Sequence, residues 1–149
     1  MPESSFREVE ACLVFSIPGR IEAVGAAVDR VMKVIQDAGC VEGQEFEVEV
    51  ALLEAVANAV KHGCRGRSEL EVELRVFCEP EKGLLVVIRD SGEGFDPSSI
   101  PSPVEGQNLL RTHGRGVWLM NQMMDFVSYR EGGREVVLHK KSPSGEWEE

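Results

Sequence analysis

The sequence predicts an α+β fold: a two-layer α/β sandwich with helices on one face of a mixed, mainly antiparallel sheet. Three observations carry that prediction. Two stretches, Arg20 to Ala38 and Glu45 to His62, repeat apolar residues every three or four positions, the period of a helix with one buried face. The segment Leu70 to Val76 alternates apolar and charged residues, and the turn Pro80-Glu81-Lys82-Gly83 leads into the continuous apolar run Leu84 to Ile88, which together read as a hairpin. Near the C-terminus, Phe126 to Arg130 and Glu135 to His139 flank Gly132-Gly133 and read as a second hairpin.

In chain order, Val9 to Ile17 reads as a first strand, ended by Pro18-Gly19. The first helix follows, with Ile21, Val24, Val28, Val31, Met32 and Ile35 on one side, and Gly39 to Gly43 connects it to the second. In that second helix the stripe runs from Val48 through Leu52, Val56 and Val60, with Gly63 as its stop. Gly63 to Ser68 is a polar loop. The run Leu84 to Ile88 is apolar at every position, as in a strand buried on both faces. Residues 95–113 form a long loop rich in Pro, Ser, Gly and Gln, with prolines at 101 and 103; long loops in compact domains are commonly functional. Val117, Trp118, Leu119, Met120, Met123 and Met124 form the apolar side of a third helix, as core packing. One domain over residues 1–141 with a disordered tail at 142–149 is expected.

A chain of 149 residues with 42% hydrophobic content suffices for one well-packed core. No run approaches the roughly 18 apolar residues of a membrane span, and no signal peptide is read at the N-terminus. The net charge of −10 argues against direct nucleic-acid binding and suits a partner with a basic surface. The four cysteines, at 12, 40, 64 and 78, form no Cys-x-x-Cys pair, and His62, His113 and His139 lack metal-ligand spacing. Cys12 and Cys78 read as core and Cys64 as partly exposed. Neither a structural zinc nor a disulfide framework is expected, which points to a reducing cytoplasm.

Three short segments carry candidate chemistry. Glu54 and Asn58, four apart, share one helix face, with Lys61 a turn further. Mg²⁺ takes oxygen ligands and keeps several waters, so one amide oxygen from Asn58 with phosphate and water would suit it. Glu54 is placed to act as a base on an incoming hydroxyl. Asp90 follows the buried strand, and the glycines at 92 and 94 let the backbone turn and approach a ligand closely. A carboxylate at the bottom of a pocket accepts from an exocyclic amine such as that of adenine. Gly114-Arg115-Gly116 opens a helix, whose free N–H groups and dipole favour phosphate. Taken singly, these are what a solvated helix face, a plain turn and a loop before a core helix also look like. In this order, in one chain, they read as one nucleotide pocket.

The conjunction resembles the ATP-binding fold of the GHKL superfamily (the Bergerat fold), shared by sensor histidine kinases, DNA gyrase B, a heat-shock chaperone and a mismatch-repair protein. Within it, the chain looks like the bacterial anti-sigma factor serine/threonine kinases. The residues carrying the likeness are Asn58-Ala59-Val60-Lys61-His62, then Asp90-Ser91-Gly92-Glu93-Gly94-Phe95-Asp96-Pro97, then Gly114-Arg115-Gly116-Val117-Trp118-Leu119-Met120 running to Met124-Asp125. The resemblance spans roughly residues 8 to 141. It implies ATP and Mg²⁺ as cofactors, Glu54 as general base, Asn58 as the Mg²⁺ ligand and Lys61 near the phosphates. Asp90 would read the adenine amine, Gly92 and Gly94 would shape its pocket, and Gly114, Arg115 and Gly116 would wrap the phosphates. Many such kinases place an arginine two residues before the final glycine pair; the nearest candidate here is Arg111, three before Gly114.

The same resemblance implies a cytoplasmic protein kinase acting on a serine of a small STAS-type anti-anti-sigma antagonist. It also implies sequestration of a sigma factor by partner switching. A homodimer is a further expectation, with the first strand and helix as its interface. The competing readings are a nucleotide-gated binding module without phosphotransfer and a histidine-kinase-related catalytic domain. A base at Glu54 is superfluous for binding alone, and the phospho-accepting helical hairpin usual in histidine kinases has no counterpart in these 149 residues.

Overall fold

The computed structural model describes residues 6–93 and 112–143 (for 112–117, the backbone). Strands are β1 (Leu13–Pro18), β2 (Glu71–Glu79), β3 (Gly83–Asp90), β4 (Phe126–Arg130) and β5 (Glu135–Lys140). Helices are α1 (Val24–Ala38), α2 (Glu45–Asn58) and α3 (Thr112–Met123). The sheet order is β1-β2-β3-β5-β4, and each neighbouring pair is antiparallel. β3 and β4 both pair antiparallel with β5, so they run parallel to each other across it. The two-layer α+β class is as expected.

Alternation sorts each strand by face. Leu74, Val76, Leu84, Val86, Ile88, Val136 and Leu138 join the core under the helices. On the opposite face Phe6, Leu85 and Val137 form a second cluster with Val9, Phe77 and Val87. That cluster explains why β3 is apolar at nearly every position. It also corrects the first strand: Val9 leaves the sheet register to pack over the opposite face, and β1 begins only at Leu13.

The first helix opens with a 3-10 turn, Ile21–Ala23, before α1. α1 buries Val24, Ala27, Val28, Val31, Met32 and Ile35 and stops at Gly39, whose φ of 66° is left-handed and whose N–H returns to Ile35 O at 3.0 Å. α3 is closed from below by β5: buried Lys140 donates from Nζ to Met123 O at 2.6 Å, where the helix dipole favours a cation. Ser142, read from sequence as the start of a tail, is buried and donates its hydroxyl to Pro80 O.

The cysteines depart from the sequence reading. Cys40, fully buried in the α1–α2 connector, is disulfide-bonded to Cys78 of β2, with Cα atoms 5.9 Å apart. Cys12 is exposed, near the start of edge strand β1, and Cys64 is buried. The expectation of no disulfide fails because the connector passes beside the end of β2, a juxtaposition that spacing does not reveal. The bridge spans 38 residues of sequence; closing a loop of that size in the unfolded chain corresponds to roughly 4 kcal/mol. Reduction with a phosphine is therefore expected to lower the thermal midpoint by roughly 10 °C, measured by scanning calorimetry with and without reductant. An equal midpoint would mean that the bridge contributes nothing in solution. Among the described residues no helix is long and apolar enough to cross a membrane.

Candidate functional site

The candidate residues gather where α2 ends over the C-terminal end of β3. Glu54 and Asn58 both lie on α2, as the spacing predicts, with Glu54 half-buried and Asn58 5% exposed. The helix does not run unchanged to His62. It ends as α-helix at Asn58 and continues as a π-helical turn, Ala59–Gly63, marked by Cys64 N donating to Ala59 O at 2.8 Å, five residues back. Such wider turns concentrate at functional sites. The extra residue per turn rotates Lys61 away from the Glu54–Asn58 line, and Lys61 is exposed.

Asp90 is the last residue of β3 and only 2% exposed. Its Oδ1 accepts from Gly92 N at 3.0 Å, and its own N–H donates to Arg134 O at 2.9 Å. Ser91 fastens the turn after it: Ser91 N donates to Glu71 O at 2.9 Å, and Glu71 N donates to Ser91 Oγ at 2.8 Å. Gly63 and Gly92 are required here by space. A Cβ on Gly63 would fall on the Asp90 carboxylate, and a Cβ on Gly92 would fall on the Gly63 carbonyl. Gly63, Asp90 and Gly92 thus interlock, joining the π-turn of α2 to the end of β3 as one floor.

Gly63 was legible in the sequence only as a helix stop; its contact with Asp90 is what the sequence reading missed. Gly63→Ala is expected to displace the carboxylate, to destabilise the fold by about 1–3 kcal/mol through overpacking and to weaken ATP binding at least tenfold. Thermal unfolding and an ATP titration check both. Cys64 follows Gly63. Burial, and then the Asp90 charge, raise its thiol pKa, with Arg67 opposing. The thiol therefore stays protonated and donates weakly to Glu71 O.

Gly114, Arg115 and Gly116 fall in the opening turns of α3, which begins at Thr112, inside the stretch read from sequence as loop. Gly94, Arg111 and the prolines at 101 and 103 lie outside the described residues. Among the described residues no cluster of three or more His, Cys, Asp or Glu side chains is arranged to hold a metal. A cation at this floor would thus draw on Asn58, phosphate and water, a donor set that suits Mg²⁺. Asn58 is buried, and its Nδ2 makes no hydrogen bond among the described residues.

A concavity of about 580 Å³ opens elsewhere, on the sheet face away from the helices, between Ser16, Arg75, Phe77, Val87, Arg89 and Glu135. Two of its arginines are engaged by neighbours, Arg75 with Glu73 at 2.7 Å and Arg89 with Glu131 and Glu135. Asp90 and Ser91 of the motif turn, with Arg130 and Arg134, also line it.

Residues 17–140 match the profile of the family described as Histidine kinase-like ATPase domain. The serine-protein kinase RsbW of Staphylococcus aureus (strain bovine RF122 / ET3-1) is 28% identical over 131 residues, covering 83% of this chain and 82% of the relative. RsbW of strain MRSA252 gives the same figures. Among solved structures, the histidine kinase domain of the Erythrobacter litoralis EL346 blue-light activated histidine kinase aligns with a TM-score of 0.48 at 19% identity. That alignment covers 77% of this chain and 62% of the other.

Proposed function

The chain belongs to the histidine kinase-like ATPase domain family, and from that premise we propose that it is a Mg·ATP-dependent serine/threonine protein kinase of the anti-sigma type. The observation that carries this reading is the floor where Gly63, Asp90 and Gly92 interlock, with Asn58 buried and Glu54 half-buried on the helix above it. Asp90 accepts a hydrogen bond from the adenine amine through its carboxylate. Glu54, one turn from Asn58, takes the proton of an incoming hydroxyl. Asn58 presents its amide oxygen to the cation, and Lys61, at the solvent edge, meets the phosphates. Gly114, in the first turn of α3, offers its N–H to the same phosphates, with Arg115 and Gly116 beside it and Gly94 and Arg111 completing the pocket. A cation held there by Asn58 would supply charge neutralisation at the phosphates. Most of the catalysis is then positioning and charge stabilisation.

The relatives called serine-protein kinase favour a serine acceptor. We assign it to a small STAS-type anti-anti-sigma antagonist. A sigma factor in the cytoplasm is the second partner, released as ADP and ATP favour different complexes, and a homodimer of this single domain is the working assembly. The test is transfer of label from γ-labelled ATP, with Mg²⁺, to a small STAS-type protein. Label on a serine of that protein is expected. ATP bound without transfer would replace the kinase with a nucleotide-gated binding module.

A further inference from the structure

The helix α2 is apolar on two opposite faces. Its inner face carries Val48, Ala51, Leu52, Ala55 and Val56 into the core. Its outer face carries Phe46, Val50, Leu53 and Ala57. Phe46 is 74% exposed and Leu53 40% exposed, with the other two half-buried. A helix that is apolar all round is ordinarily covered all round, yet the described residues leave Phe46 and Leu53 open. Single exposed apolar side chains are commonplace; an aligned row marks an interaction site.

The spacing of the row says what shape would cover it. Steps of four, three and four residues are those of a coiled-coil seam, with Phe46 and Leu53 at its d positions and Val50 and Ala57 at its a positions. Of the positions in α2 that border such a seam, Val56 turns into the core and the others are Glu47, Glu49 and Glu54. The helix itself holds no Lys or Arg. Among the described residues, only Glu47 of these three carboxylates has a cation nearby, Lys140 Nζ at 3.7 Å.

We propose that this outer face of α2 is a docking seam for an amphipathic helix of another protein, whose own apolar stripe is bordered by Lys or Arg. Docking here goes beyond the kinase reading and does not depend on phosphate transfer. Charge selects the occupant. A second copy meeting this face across a two-fold axis would set glutamates against glutamates. An anionic lipid surface or a nucleic acid would be repelled in the same way. A helix with cations at its bordering positions covers Phe46 and Leu53 and also supplies the charge that α2 lacks.

The test uses three designed peptides of about three heptads each. Two carry a leucine seam, bordered by Lys in one and by Glu in the other. The third has the Lys-bordered composition in scrambled order. Each is labelled with fluorescein and titrated with the intact protein, read by anisotropy. The Lys-bordered peptide should bind, and the other two should bind at least about tenfold more weakly. Phe46→Gln combined with Leu53→Gln places good helix formers at exposed sites. This double variant should weaken the Lys-bordered peptide at least about tenfold while leaving the thermal midpoint and ATP affinity unchanged. Glu49→Lys should weaken that peptide and strengthen the Glu-bordered one. Glu54 is left intact because it is read as the base. Equal binding of the scrambled peptide would overturn the proposal, leaving only attraction to an acidic protein. So would unchanged binding in either variant, or no binding by wild type. A wild-type dimer that dissociates in the double variant, seen by sedimentation, would overturn it in favour of a second copy.

Discussion

Asp90→Asn is expected to abolish nucleotide binding while leaving the fold intact. The carboxylate is 2% exposed and has one oxygen committed to the Gly92 N–H. In the proposed site its remaining acceptor capacity meets a donor, the adenine amine. An amide in the same space can satisfy only one of the two. If its oxygen keeps Gly92, its NH₂ confronts the adenine amine, donor against donor. If it flips, the Gly92 N–H is orphaned. A hydrogen bond to a charged group contributes about 1.5–3 kcal/mol, and a buried unsatisfied donor costs about 1–3 kcal/mol. Together they weaken binding by at least about a hundredfold. A fluorescence titration with ATP, alongside a thermal midpoint to show folding, reads the effect directly. Unchanged affinity would remove Asp90 from the adenine site.

Glu54→Gln separates binding from transfer. Gln has the shape of Glu and fits the same half-buried place on α2, so ATP affinity should stay within about twofold. It cannot accept a proton from the attacking hydroxyl. General base catalysis contributes about 10²–10⁴-fold, and single-turnover transfer should fall by that factor. Transfer at the wild-type rate would show that Glu54 does not act as the base, and that positioning alone carries the reaction.

The sequence exposed those parts of the site that rest on local periodicity. The alternation in β2, the apolar run of β3 and the glycine pair between β4 and β5 each follow from the two-residue period of a strand, and the observed strands match within a few residues. Glu54 and Asn58 share a helix face because helical spacing puts them there. What stayed hidden depends on contacts between distant segments. Gly63 follows a helix, and glycine after a helix reads as a stop; its real constraint is the Asp90 carboxylate, 27 residues downstream in the sequence. The π-turn escaped notice because Val56 and Val60 keep the four-residue spacing of an α-helix through it. The Cys40–Cys78 bridge could not be read from spacing, since only the packing of the connector against β2 brings the two together. Cys12 and Cys64 exchanged roles for a related reason. A strand-like run says nothing about lying at a sheet edge, and a residue after a helix is not thereby exposed.

The central claim is that segments distant in sequence form one pocket that reads adenine through its amine. The most direct test compares ATP with inosine triphosphate, which carries a carbonyl in place of that amine, by calorimetric titration of the intact chain with Mg²⁺. One site per chain is predicted, with inosine triphosphate at least about a hundredfold weaker. Equal affinity for the two nucleotides would contradict the account, because the buried carboxylate at the end of β3 would then have no part in choosing the base.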